Sequence, residues 1–252
     1  MQRTTTPYTL LFLLLAVCLS SCSRRYKVEG LSSVTALEGK TLYLKVLENG
    51  EWTAVDSAEM VHGLFRMEGP ADSARMVTLY LDEECIMPLV LENGTVKVTL
   101  TNSQFIAQGT PLNNALYEFI EKRNQMERCL GDLERKSIRL AMSGLARQED
   151  LERLKKEKHR KKQEMEAYVR TFIADNYENV LGPSVFMMFC CALPYPILTP
   201  QTEEILKNAP ESFKENALVK DFVTKAHSNM QILEKHQCTD PFSPHIQIAS
   251  LP

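Results

Sequence analysis

Apolar and polar residues alternate in the first half of the chain and recur every three to four residues in the second half. The alternation is clearest over residues 42–46, 77–81 and 96–100. A period of two places the apolar side chains on one face of a β-strand. One apolar face opposite one polar face is typical of antiparallel sheets. These three runs are therefore predicted to be antiparallel strands.

Two Asn-Gly pairs, Asn49-Gly50 and Asn93-Gly94, each separate two strand-like runs. Both are predicted to form hairpins, because a type I′ turn requires positive φ at its two central residues. Further runs at residues 26–29, 63–67 and 104–107 bring the number of strands to seven or eight. The pattern predicts an antiparallel β-sandwich or a partly open barrel over residues 22–108.

The helical period begins after Gly109. Thr110 is a suitable N-cap and Pro111 stands where a helix tolerates proline best. A long second helix is predicted over residues 149–176, and a shorter one begins at Thr199-Pro200. Together with an apolar stripe after Pro210, these elements predict a helical region over residues 109–238. The expected fold class is α+β, with the β domain preceding the helices.

The N-terminus has the form of a lipoprotein signal. Residues 10–19 are an apolar run of the length expected for a signal peptide, well short of the ~20 residues needed to span a bilayer. The run ends in Leu19-Ser20-Ser21-Cys22, which has the form of a bacterial lipobox. The interpretation is that residues 1–21 are removed and Cys22 is lipidated. The alternative is an ordinary secretory signal cleaved near Ser21, with Cys22 incidental.

The residues after Cys22 indicate where the anchored chain would reside. Ser23 is not the Asp that favours inner-membrane retention, and no acidic cluster follows it. The expected location is the periplasmic face of the outer membrane. Each buried methylene contributes ~0.8 kcal/mol, so three acyl chains would hold the chain without a transmembrane helix.

Net charge and cysteine spacing narrow the classes of function open to this chain. A net charge of −3 over 252 residues argues against nucleic acid as a general partner. After loss of Cys18 and lipidation of Cys22, five cysteines remain without any C-x-x-C spacing: Cys85, Cys129, Cys190, Cys191 and Cys238. The Cys190-Cys191 pair is interpreted as two buried small residues, with a vicinal disulfide or a metal-thiolate switch as alternatives.

Sequence motifs for catalysis are missing. The chain has no G-x-S-x-G, P-loop, H-E-x-x-H or G-x-G-x-x-G. His236 and Cys238 are neighbours, but two ligands do not make a metal site. The acidic run Asp82-Glu83-Glu84 is interpreted as a solvated turn. No enzymatic activity, cofactor or metal is expected.

Residues 153–162 read RLKKEKHRKK, with seven Lys or Arg and one acid. The first interpretation is a solvated helical face, in which Glu157 and Glu164 support the helix through i,i+4 pairs. The alternative is an anion-binding face for lipid headgroups or a cell-wall polymer. Its four ligating lysines would be Lys155, Lys156, Lys161 and Lys162.

Several short motifs, taken in order, resemble a Bacteroidota lipoprotein family known as domain of unknown function 4369. They are the lipobox, the strands around residues 42–46, Trp52-Thr53-Ala54-Val55-Asp56-Ser57, Leu91-Glu92-Asn93-Gly94 and Gly109-Thr110-Pro111-Leu112-Asn113. Asn179-Val180-Leu181-Gly182 resembles the helical extension of the same lineage. The resemblance covers residues 25 to about 240.

In that family the domain usually precedes a thioredoxin-like module with a Trp-Cys-x-x-Cys site. This chain has no such site, and its one Trp is Trp52. The tail, residues 239–252, nevertheless resembles the entry to such a module. The hypothesis is a natural or gene-model truncation at that boundary.

Three functions follow from the sequence. The first is a lipid-anchored, non-catalytic interaction module of the cell envelope, with an envelope protein as its partner. The second, implied by the resemblance alone, is an accessory or truncated component of a periplasmic thiol–disulfide pathway. The third is an anionic envelope-ligand binder through the basic helix.

Overall fold

The computed structural model describes residues 24–48, 50–143, 147–190 and 195–237. Within these ranges, strands occupy the first part of the chain and helices the second. The strands are β1 (Arg25–Ser32), β2 (Thr41–Glu48), β3 (Glu51–Glu59), β4 (Leu64–Pro70), β5 (Arg75–Leu81), β6 (Glu84–Leu91), β7 (Gly94–Leu100) and β8 (Phe105–Gln108). The helices are α1 (Pro111–Met142), α2 (Gln148–Asp175), α3 (Leu181–Cys190), α4 (Pro200–Asn208), the single-turn α5 (Glu211–Lys214) and α6 (Ala217–Gln237).

The strands form two four-stranded sheets, in the orders β4-β1-β7-β8 and β3-β2-β5-β6. Neither sheet closes on itself, so the architecture is a sandwich rather than a barrel. The alternating apolar residues of both sheets point into one core, where Val28, Leu44, Leu79 and Val96 are fully buried. The Tyr26 hydroxyl donates to Asp56 Oδ2 at 2.8 Å and so links β1 of the first sheet to β3 of the second. The predicted α+β fold class is confirmed.

One strand pair departs from the antiparallel prediction. β1 and β7 run parallel, with Tyr26 opposite Gly94 and Ser32 opposite Leu100. The other strand pairs of the two sheets are antiparallel. Alternation indicates which face of a strand is buried, but it carries no information about the direction of a neighbour so distant in sequence.

The two Asn-Gly pairs have different roles. β2 and β3 pair with each other around Gly50, whose φ is +83°, as the hairpin prediction required. The hairpin predicted at Asn93-Gly94 is wrong, because β6 pairs with β5 while β7 pairs with β1 and β8. Here the positive φ of Gly94, +126°, turns the chain from one sheet into the other. Asn93 Oδ1 accepts a hydrogen bond from the Arg25 amide at 3.1 Å, which holds this crossover against β1.

The start of α1 is fixed to the sandwich by Glu92. One carboxylate oxygen of Glu92 accepts from the Leu112 amide at 2.8 Å and from the Asn113 amide at 3.2 Å. A carboxylate at this position satisfies orphan amides and opposes the positive end of the helix dipole. Thr110 is the N-cap residue, as predicted, but its hydroxyl accepts from Asn113 Nδ2 instead of a backbone amide.

The side chains of the first turns of α1 cover the free edge of β6. Asn113 is fully buried, its Oδ1 accepts from the Val90 amide at 2.9 Å, and its Nδ2 donates to the Val90 carbonyl at 2.8 Å. The Tyr117 hydroxyl donates to the Pro88 carbonyl at 2.8 Å. Pro88 has no amide to satisfy. The side chains of Asn113 and Tyr117 thus bond backbone groups of β6 that a further strand would otherwise bond. They therefore block strand addition at this edge.

The helices continue the same core. Phe186 of α3 is fully buried, and its ring meets Phe213 and Phe222 edge-on at 5.7 Å and 5.4 Å between ring centroids. The buried residues of the sandwich and of the helices form one cluster. The Thr199-Pro200 helix start is confirmed as α4, where Thr199 and Thr202 form a capping box.

Candidate functional site: the basic face of a helical arm

The distal parts of α1 and α2 form a helical hairpin, which we call the arm and define as residues 121–142 and 148–168. At its base, Phe119 stacks on Tyr168 and Phe172, with ring centroids 5.5 Å and 4.3 Å apart. Further out, Lys158 of α2 pairs with Glu134 of α1. Of the arm residues, Leu154 alone is fully buried. The arm therefore lies outside the core that the sandwich and the other helices share.

The arm has an apolar seam that is only half covered. Apolar side chains at heptad-like spacing along the two helices are partly exposed, namely Met126, Leu130, Leu133, Leu140, Leu151 and Met165. Ile138 and Met142, one helical turn apart near the tip, are 50 % and 82 % exposed. Two helices bury few side chains between themselves, so such a projection contributes little to the stability of the core.

The arm and the rest of the chain carry net charges of opposite sign. Residues 121–142 and 148–168 contain 13 Lys or Arg and 10 Asp or Glu, a net charge of +3. The whole chain carries −3, so the remainder carries −6. The arm is thus a cationic projection on an anionic body, an asymmetry that overall composition conceals.

The outer face of α2 carries a shallow, open groove of about 670 Å³. It is lined by Glu152, Lys155, Lys156, Lys158, His159 and Lys162. These positions recur at spacings of three and four, so they lie on one side of the helix. Four lysines and a histidine beside a single acid make this face suited to an anionic ligand.

The structure brings together three of the four predicted anion-binding lysines: Lys155, Lys156 and Lys162. Lys162 has Glu166 at 3.8 Å. Among the described residues, Lys155 and Lys156 have no acidic partner within 4 Å. These two ammonium groups are therefore the ones most available to a ligand.

Lys161 does not line the groove with the other three lysines. Lys161 lies one helical position away from the groove and donates to Glu164 Oε2 at 2.9 Å. Arg160 donates to the other oxygen of the same carboxylate at 2.6 Å. The hydrogen bond from Lys161, with the nearby charges of Lys161 and Arg160, lowers the pKa of Glu164. The i,i+4 support predicted for Glu164 is confirmed by its pair with Arg160.

The predicted set did not include three residues that line the groove, Glu152, Lys158 and His159. The helical spacing contained the necessary signal, since positions 152, 155, 156, 158, 159 and 162 recur at spacings of three and four. The composition of residues 153–162 shows that the run is basic, but it does not show which cations share a face of the helix.

The other sequence candidates lie elsewhere. Cys85 of β6 and Cys129 of the arm are both exposed and form no disulfide, while Cys190 is buried at the end of α3. Desolvation of the Cys85 sulfur raises the pKa of the thiol, which lowers the fraction present as the reactive thiolate at neutral pH. Cys22, Cys191, Cys238 and the tail lie outside the described residues.

The acidic turn between β5 and β6 is tied to the neighbouring strand. Lys45 Nζ lies 3.4 Å from Glu83 Oε2 and 3.3 Å from the Asp82 carbonyl. It also lies 4.6 Å from the ring centroid of Tyr80, on which Trp52 packs at 5.4 Å. In the part of the chain that the structure describes, no group of three or more metal-ligating side chains comes together.

The most apolar helix, α3, has ten residues, about half the length a bilayer crossing requires. Across the described ranges, no helix combines the length and apolar character needed to cross a bilayer.

Comparison with known proteins identifies the first part of the chain. Residues 26–116 match the family model described as domain of unknown function (DUF4369). The match begins in β1 and ends in the second turn of α1, so it includes the Glu92 cap and the Asn113 contact with β6. The arm and the helices that follow lie outside it. No curated protein matches the chain.

Proposed function

We propose that this chain, in which residues 26–116 are a DUF4369 domain, is a non-catalytic interaction module of the cell envelope, held by a lipid on Cys22. The arm is the observation that carries the proposal. It projects from the core, contributes one fully buried side chain, and carries the positive charge of an otherwise acidic chain. Because the arm contributes so little to the stability of the fold, contact with a partner is the role that explains it.

A specific observation favours anion binding as the mode of contact. Lys155 and Lys156 share the outer groove of α2, and no acid of the described chain neutralises them. Lysines that are paired within the protein gain little from an added anion, whereas unpaired lysines on one face gain Coulomb energy from every anionic group. The groove is open and solvated, so we expect binding to weaken with salt.

The thiol–disulfide alternative has weaker support. It rests on the position that DUF4369 domains usually take before a thioredoxin-like module. The raised pKa of Cys85 makes this thiol a poor attacking group at neutral pH. If insulin reduction by the purified chain exceeded that by a cysteine-free variant, this alternative would replace the interaction module.

Reversal of the two unpaired charges is expected to weaken binding to an anionic probe. For immobilised polyglutamate, we expect Lys155→Glu with Lys156→Glu to lower the affinity about tenfold, or about 1.4 kcal/mol. The measurement is biolayer interferometry with the full chain at low and at physiological salt.

The matched control is Lys122→Glu with Lys136→Glu, two exposed lysines of α1 that lie outside the groove. It changes the net charge of the arm by the same amount, and its affinity is expected to stay within about twofold of the parent. Equal losses in the two double variants would show that overall charge, and not this face, determines binding.

Lipidation is tested by the N-terminal peptide. Mass spectrometry of the chain from its own envelope is expected to give a peptide that starts at Cys22 and carries diacylglycerol and an acyl chain. Cys22→Ser is expected to move the chain from the membrane to the soluble fraction, because the acyl chains supply the membrane affinity. An unmodified peptide starting at residue 22 would contradict the proposed anchor.

A further inference from the structure

We infer that the arm extends away from the membrane that holds the lipid, and that its basic face binds an anionic polymer on the far side of the molecule. The inference rests on the proposed function and adds to it the class and the location of the ligand. It is carried by the direction of α1 relative to the start of β1.

The lipid end of the molecule follows from covalent geometry. Cys22 stands three residues before Arg25, the first residue of β1, so the two are separated by at most ~11 Å. Arg25 lies opposite Pro70, and its amide donates to Asn93. A lipid on Cys22 would therefore place the bilayer at the end of the sandwich formed by Arg25, Pro70 and Asn93, which we call the anchor end.

Helix α1 starts at the anchor end and runs away from it. Glu92, beside Asn93, caps the first turn of α1. Asn113 then contacts Val90, and Tyr117 contacts Pro88. Four helical residues span about 6 Å and two strand residues about 6.6 Å, so α1 runs antiparallel to β6 at a matched level.

The helix is much longer than the strand beside it. From Tyr117 to Met142, α1 extends about 37 Å, whereas β6 continues only about 13 Å from Pro88 to Glu84. A straight α1 that continues parallel to β6 would carry the tip of the arm ~24 Å beyond the end of the sheet opposite the anchor end. Because Lys158 pairs with Glu134, Lys155 and Lys156 lie nearer still to the tip.

The shape of the groove indicates a polymer and not a small anion. The cationic side chains extend along about two turns of one helix, from Lys155 to Lys162, and the groove is open to solvent along this length. No side chain of this set is buried in a closed cavity that would enclose a small ligand. A chain with repeated carboxylates can contact several lysines at once, and such contacts reinforce one another.

The orientation is tested on vesicles with the lipidated full chain. A fluorescent amino acid replaces Met142 at the tip of the arm or Asp72 near the anchor end, where Ala71 is hydrogen-bonded to Arg24. The vesicles contain phosphatidylcholine, phosphatidylglycerol and an acceptor dye on the headgroups. We expect energy transfer from position 142 to be at least roughly threefold lower than from position 72, because α1 extends over ~48 Å.

Each other outcome has a distinct meaning. Equal transfer from both positions would overturn the inferred orientation, even if polyglutamate still bound normally. Unlipidated Cys22→Ser chains that bind these vesicles and give strong transfer from position 142 would identify lipid headgroups as the ligand, which also overturns it. If polyglutamate binding is absent, or is unaffected by Lys155→Glu with Lys156→Glu, the proposed anion binding itself fails, whatever the orientation.

Discussion

Replacement of Phe186 with alanine is expected to lower the free energy of unfolding by about 3–5 kcal/mol, the largest loss among the substitutions considered. The ring is fully buried and lies edge-on to Phe213 and Phe222. Its removal costs the transfer energy of an aromatic side chain, leaves a cavity between α3, α5 and α6, and abolishes two aromatic contacts. Urea denaturation followed by circular dichroism at 222 nm measures the loss.

Phe105→Ala is the matched control, since it makes the same chemical change at a side chain that is 45 % exposed at the edge of the first sheet. Its cost is expected to stay below about 1.5 kcal/mol, because half of the ring is already in contact with water. Similar losses in the two variants would contradict the assignment of Phe186 to the centre of the helical core.

The same variant tests whether the sandwich and the helices unfold together. Trp52, the one Trp of the chain, lies on β3 and reports on the sandwich, whereas circular dichroism at 222 nm reports mainly on the helices. Since the buried residues form one cluster, Phe186→Ala is expected to shift both transitions to the same lower midpoint. If Trp52 kept the parent midpoint while the helical signal shifted, the two parts would be independent units.

Asn113→Ala is expected to cost about 2–4 kcal/mol. The substitution leaves the Val90 amide and carbonyl without partners in a buried position, and an unsatisfied buried group costs about 1–3 kcal/mol. It also exposes the edge of β6, so hydrogen exchange at the Val90 amide is expected to accelerate. Denaturant unfolding gives the free energy, and exchange measured by NMR gives the local effect.

The neighbouring Asn114 provides the control. Its Oδ1 accepts from the Gly109 amide at 2.8 Å, but the residue is exposed, and water can replace the lost hydrogen bond. Asn114→Ala is therefore expected to cost less than about 1 kcal/mol and to leave exchange at Val90 unchanged. A loss of under 1 kcal/mol for Asn113→Ala would mean that water reaches the β6 edge and satisfies it.

Local patterns predicted most of the secondary structure and less of the pairing. Period-two alternation located the strands around residues 42–46, 77–81 and 96–100. The N-cap signal located the start of α1, and helical period located both ends of α2 within one residue. Asn93-Gly94 was misassigned because a turn signal specifies positive φ and does not specify which strands it joins. Pairing depends on contacts between residues far apart in sequence, which alternation does not record.

The candidate site was likewise predicted in its local features but not in its tertiary contacts. The sequence identified the basic run of α2, and three of its four selected lysines lie in one groove. Lys161 lies outside the groove and pairs with Glu164 about one turn along the same helix, and the composition of the basic run does not distinguish these two faces. The pairing of Lys158 with Glu134 depends on how α1 and α2 cross, a tertiary contact that no local pattern specifies.

The sequence by itself determined the α+β order, the core-facing residues of β2, β5 and β7, the helix starts at Pro111 and Pro200, and the concentration of positive charge in one helix. These follow from side-chain period, proline geometry and charge, which act over a few residues. Only the tertiary structure decided the parallel β1–β7 pair, the covering of the β6 edge by Asn113, and the projection of the arm. Each depends on hydrogen bonds and apolar contacts between residues that are far apart in sequence. These contacts form only in the folded chain, so no local pattern specifies them.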